Sequence, residues 1–124
     1  MQKTLLRSKL HRINVTQVEL NYEGSCAVDT DILAKGNLQE YEKIDIYNVT
    51  NGERFSTYLM SAEAGSKTVS INGAAAHLVQ PGDVVIILSY VGVEEEFVGA
   101  HAPRIVLVDS ENKISEIVSG ESNF

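Results

Sequence analysis

Ile44-Asp45-Ile46-Tyr47-Asn48-Val49 and Arg54-Phe55-Ser56-Thr57-Tyr58-Leu59-Met60 are two runs rich in β-branched and aromatic residues, separated by Thr50-Asn51-Gly52-Glu53. Runs of this kind form strands, and an Asn-Gly pair between them supplies the positive φ angles of a tight hairpin turn. Working outward, Thr68-Val69-Ser70-Ile71 reads as a short strand. Val84 to Val91 is a continuous apolar run that reads as a strand buried on both faces. Leu10 to Leu20 nearly alternates in polarity, as a strand does, until Asn21-Tyr22-Glu23-Gly24-Ser25 breaks the pattern as a loop or bulge; Cys26-Ala27-Val28 resumes it. Arg104 to Val108 and Ile114 to Val118 are late strands, Glu94-Glu95-Glu96 a solvated loop, and Ser119 to Phe124 a frayed end.

Two segments carry helix punctuation. Asp29 can cap a helix of one to two turns that Gly36 ends in the left-handed conformation, and Asn72-Gly73-Ala74-Ala75-Ala76-His77-Leu78 reads as a turn into a short helix. The sum is six to eight short strands with two short helices in one domain, residues 1–124. That is the signature of a small mainly β barrel, in which closure removes exposed strand edges.

Composition narrows the function. The 124 residues are 44% hydrophobic and carry a net charge of −7. Residues 1–24 hold four Lys/Arg against two Glu, whereas residues 25–124 hold six against fifteen Asp/Glu. An acidic body argues against nucleic acid, which needs clustered positive charge, but not against a small anion bound by a few local cations. No apolar run reaches membrane-spanning length, and the start lacks the apolar core of a signal peptide. The single cysteine, Cys26, excludes an intrachain disulfide and suits a reducing compartment, so a cytoplasmic location is expected.

Common catalytic arrangements do not fit. Gly24-Ser25-Cys26 is not a Gly-x-Ser-x-Gly elbow, and His11, His77 and His101 sit in no hydrolase motif. These histidines and one thiol lack paired metal-ligand spacing, and Gly73 belongs to no nucleotide fingerprint.

Four motifs in order carry a resemblance: Lys9-Leu10-His11-Arg12, Tyr22-Glu23-Gly24-Ser25-Cys26, Tyr47-Asn48-Val49-Thr50-Asn51-Gly52-Glu53-Arg54-Phe55-Ser56-Thr57-Tyr58, and Ile71-Asn72-Gly73-Ala74-Ala75-Ala76-His77. With them, from about Leu6 to Val91 and more weakly over Arg104 to Val108, the chain resembles the pyruvoyl-dependent aspartate 1-decarboxylases of pantothenate biosynthesis. The resemblance implies a double-psi β-barrel and a homotetramer with sites between subunits. It also implies self-cleavage at Gly24-Ser25 into a β chain, 1–24, and an α chain, 25–124. Ser25 would become a covalent pyruvoyl group, without metal or pyridoxal phosphate, that condenses with the amine of L-aspartate on the way to β-alanine and CO2.

It further implies roles. Ser25 attacks the Gly24 carbonyl, Thr57 stabilises the developing oxyanion and Asn72 assists; a glycine at 24 is expected because a Cβ would obstruct a strained backbone. Tyr58 protonates the substrate carbanion. Arg54 anchors the substrate's side-chain carboxylate through its planar fork, Lys9 adds charge, and Thr57 also contacts the substrate. The N–H groups of Gly73, Ala74 and Ala75 receive the other carboxylate. His11 and Tyr22 support the site or pack the core. By residue type alone each position has a plainer reading: a surface arginine for Arg54, a strand-edge lysine for Lys9, strand residues for Thr57 and Tyr58, a turn for Asn72, a packed Ala helix for Gly73 to Ala75. Strict strand alternation also puts Arg54, Ser56 and Tyr58 on one face and Thr57 on the other. Two alternatives remain: an uncleaved barrel that acts as a binding module, and a pyruvoyl decarboxylase of another small acidic amino acid.

Overall fold

The computed structural model describes residues 1–119, so the end of the tail expected to fray, residues 120–124, lies outside the described residues. The strands are β1 (Gln2–Asn14), β2 (Gln17–Glu19), β3 (Ser25–Asp29), β4 (Lys43–Asn48), β5 (Arg54–Ala62), β6 (Val69–Asn72), β7 (Val84–Glu94), β8 (Arg104–Val108) and β9 (Ile114–Ser119). They hydrogen-bond in the order β2-β6-β3-β5-β4-β7-β1-β8-β9. β1 and β2 stand six places apart in that order yet are joined only by Val15 and Thr16. A flat sheet would separate them by about 29 Å at the usual strand spacing, whereas three trans peptide links reach only about 11 Å. The sheet must therefore curl on itself, and the expected mainly β barrel is the result. Thr16 N–H donates to Val69 O at 2.8 Å and Val15 N–H to Asp83 O at 2.9 Å, which ties this link across the curl.

The core fills from alternate residues. Leu10, Ile13, Val28, Ile44, Ile46, Leu59, Val69, Ile71, Val85, Ile87 and Val106 are all buried and pack as one cluster. No helix among the described residues is long and apolar enough to cross a membrane.

Several expectations change. The strand expected from Leu10 begins at Gln2, because its exposed first residues, Gln2 to Thr4, are held by pairing with β7 (Gln2↔Glu94) rather than by burial. It then ends at Asn14, and β2 is separate, giving nine strands among the described residues. β5 pairs with β4 as the hairpin requires, but Tyr47↔Arg54 is the last pair, and the turn is a longer loop in which Gly52 (φ 82°) alone takes a positive φ. Asn48 Oδ1 accepts the Thr50 N–H, and the Asn51 amide donates to Leu78 O, so side chains rather than a two-residue turn shape it. Asp29 does cap α1 (Thr30–Lys35), but Gly36 has φ −85°, and Asn37 (φ 55°) takes the left-handed position instead. Gly36 is small because a Cβ there would lie 3.1 Å from Leu38 and 3.2 Å from Leu10. Gly73–Leu78 and Glu95–Ala100 are 3-10 helices, so the acidic loop expected at Glu94 to Glu96 is the end of β7 running into a helix. β7 is buried on both faces only around Ile87 to Ser89; Ile86 is half-buried and Tyr90 exposed.

Candidate active site

β3 and β6 are antiparallel with Ser25↔Asn72, Cys26↔Ile71, Ala27↔Ser70 and Val28↔Val69 in register. Alternation divides these pairs cleanly. Cys26, Val28, Ile71 and Val69 are fully buried in the core. Ser25, Ala27, Ser70 and Asn72 face the other way, into a cavity of about 560 Å³. β5 runs parallel to β3 on its other side with Cys26↔Leu59 and Ala27↔Met60; Leu59 enters the core, and Tyr58 and Met60 line the same cavity. Gln17 and Glu19 of β2, with Tyr22, Glu23 and Tyr41, also line it.

Three buried polar side chains on that wall form a chain of hydrogen bonds. Ser70 Oγ donates to Asn72 Oδ1 at 2.7 Å, and Asn72 Nδ2 donates to Ser25 Oγ at 3.1 Å. Ser25 is thus a hydroxyl held on a cavity wall by an amide donor. Its neighbour Cys26 is no competitor: burial pushes its thiol up to about 12, and it points into the core.

Across the ladder, Gly73 has φ 77°, and a Cβ there would lie 2.7 Å from Gly24 Cα and 2.9 Å from Gly24 N. Side chains do not fit at such distances, and L residues resist that φ. Gly24 itself is open: a Cβ would meet nothing within 4 Å, and its φ is not left-handed. In this conformation the steric demand belongs to Gly73, on which Gly24 rests.

The expected residues divide into two groups. Ser25, Tyr58, Asn72 and Tyr22 meet at the cavity. Arg54, at the far end of β5, is exposed and lies over the Tyr47 ring at 4.5 Å; four residues of strand, about 13 Å, separate it from Tyr58. Lys9 is half-buried in β1, paired with Leu88 and Ile105. Thr57 pairs with Ile44 and lies on the Leu59 side of β5, as alternation requires, and neither it nor Gly73, Ala74 or Ala75 lines the cavity. His11 lines a separate cavity of about 250 Å³ beside Arg12 and Ser115. Burial, then the charges of Lys9 and Arg12, lower its pKa, which favours the neutral imidazole.

Comparison with known proteins follows the same outline. An aspartate decarboxylase family model matches residues 1–115. The chain is 51% identical over 117 residues to an aspartate 1-decarboxylase of Bordetella pertussis, covering 94% of this chain and 96% of that one. It is 50% identical to the corresponding protein of Cupriavidus necator and 51% identical to that of Ralstonia nicotianae, covering 94% of this chain and 98% of each relative. This chain belongs to the aspartate decarboxylase family. The family match takes in every strand of the cavity wall and ends within β9.

Two further residues of this family member, Ser70 and Tyr41, belong to the cavity. Ser70 sits two residues before Asn72, and alternation alone places both on one face. Tyr41 stacks on Tyr58 with ring centroids 6.4 Å apart, from a residue with φ 72°. Nothing local announces that backbone; it is held by the bond from Tyr41 N–H to Leu59 O at 2.7 Å. Among the described residues no three His, Cys, Asp or Glu converge as a metal site would.

Proposed function

We propose that the chain cuts itself between Gly24 and Ser25 and then converts L-aspartate to β-alanine and CO2, supplying β-alanine for pantothenate synthesis in the cytoplasm. The observation that carries this reading is Ser25 Oγ, buried on the cavity wall one bond from Gly24, with Asn72 Nδ2 3.1 Å away. An N–H donor there favours negative charge on Oγ. Such charge develops as the hydroxyl loses its proton to attack the Gly24 carbonyl, and again when Oγ leaves with Gly24 as a carboxylate.

Residue 25 suits a pyruvoyl group: it faces a cavity large enough for a four-carbon amino acid, and the next reactive side chain, Cys26, is turned away. Once formed, that group supplies the electron sink for loss of the α-carboxylate. The chain's own residues do the rest. Tyr58 stands beside residue 25 on the neighbouring strand and returns a proton to the substrate carbon. Arg54 anchors the side-chain carboxylate with help from Lys9.

Arg54, Lys9 and Thr57 lie outside the Ser25 cavity of their own chain. We assign them to the cavity of a neighbouring copy in a homotetramer, with sites formed between subunits. Intact mass measurement tests the central claim. The mature protein should give pieces of 24 and 100 residues, with a ketone at the start of the larger, and Ser25→Ala should stay whole. A wild-type chain that remains uncut and makes no β-alanine from aspartate would refute the proposal and favour a binding module.

A further inference from the structure

The cavity wall carries a polar side chain without a part in the scheme so far. Ser70 is 3% exposed, and its hydroxyl donates to Asn72 Oδ1 at 2.7 Å. The two ends of an Asn amide are nearly equal in shape and opposite in hydrogen bonding, and a hydroxyl can donate to the one or accept from the other, so the amide is held facing as it does by Ser70 acting as a donor. Here the oxygen is taken by Ser70, and the nitrogen is left to donate to Ser25 Oγ. Without the Ser70 proton, Oδ1 would be buried with no donor. Turning the amide over would let it accept from the Ser25 hydroxyl instead. The turned amide sets a partial negative charge against Oγ where a donor is needed.

We propose that Ser70 is a positioning residue for self-cleavage: its hydroxyl fixes the Asn72 amide with the nitrogen toward Ser25 Oγ. This rests on the reading that Ser25 is the cleavage nucleophile. In that reaction the Oγ–C bond to Gly24 forms as the Gly24 C–N bond breaks, and the Oγ proton passes to the Ser25 nitrogen. Loss of the Ser25 Cα proton then breaks Cβ–Oγ and releases Gly24 as a carboxylate. Water finally replaces ammonia at Cα. The amide donor serves the steps in which Oγ becomes negative, and Ser70 acts only through it.

The test follows the uncut fraction of freshly purified full-length chain by denaturing gel and intact mass. Ser70→Ala should slow cleavage about tenfold or more, the scale of one misdirected hydrogen bond. Ser70→Thr keeps the hydroxyl and should restore most of the rate. Ser70→Cys keeps the shape and most of the packing but donates weakly. It should cleave slowly with a Tm near wild type, and it keeps the test decisive if the alanine variant folds poorly. Wild-type rates for both Ser70→Ala and Ser70→Cys, or equal slowing in all three variants, would overturn the role of Ser70 and leave Ser25 cleavage standing. A wild-type chain that never cuts would overturn both.

Discussion

At the scale of single residues, the tightest point of the site is Gly73. Its φ of 77° and the 2.7 Å that would separate its Cβ from Gly24 Cα are two independent reasons for glycine. Gly73→Ala should therefore cost at least about 2 kcal/mol of stability, from a left-handed φ and a clash that only backbone movement relieves. It should also slow cleavage, because Gly24 would be pushed from its seat beside Ser25. Urea denaturation and a cleavage time course measure the two effects separately; unchanged values in both would remove Gly73 as the support of the cleavage loop. Gly24→Ala, which meets no neighbour, should leave stability nearly unaltered.

At the scale of elements, Asp29 joins more of the chain than its place at the end of β3 suggests. Its carboxylate is fully buried and accepts the N–H groups of Asp31 at 2.8 Å, Gly65 at 3.0 Å and Lys67 at 2.8 Å. One side chain thus caps α1 and fastens the loop between β5 and β6, whose far end leads to Ser70 and Asn72. Burial alone would raise its pKa; the N–H donors of Lys67, Asp31 and Gly65 and the Lys67 charge outweigh that and hold it below the usual carboxylate range. A depressed native pKa means that this stabilisation is complete above the unfolded value, near ~4, and is lost as pH falls through the lower native value. Asp29→Asn should be less stable at neutral pH, and the gap to wild type should narrow on acidification from pH 5 to 3. Thermal melts across that range would show it, and a constant gap would argue against the assignment.

At the scale of the whole molecule, the separation of Arg54 and Lys9 from the Ser25 cavity matters most. If copies complete one another's sites, Ser25→Ala and Arg54→Ala chains, each inactive alone, should regain β-alanine formation when co-expressed, because some mixed sites then hold both wild-type residues. No gain over the two parents would place Arg54 and Ser25 of the same chain in one site, or remove Arg54 from it. The barrel itself rests on long-range links. Arg7 of β1, for example, pairs with Glu42 ahead of β4 and donates to Ser89 of β7 at 3.2 Å.

Local chemistry determined the strands, the hairpin and the helix cap, because alternation, β-branched residues and capping side chains act over a few neighbours. It also marked Gly24-Ser25 and Asn72 as a pattern shared with a known family. It misread Gly36, since a glycine is required either by φ or by whatever packs against it, and the second is not local. Tyr41 was invisible because the bond to Leu59 that holds its backbone crosses 18 residues of sequence. Only the tertiary structure decided that Ser25, Asn72, Ser70 and Tyr58 share a wall. Residues 25 and 72 meet through antiparallel pairing of β3 with β6, and residue 58 joins them through parallel pairing of β3 with β5. The two-residue link between β1 and β2 closes the curl that makes such pairing possible, and no window of sequence contains it.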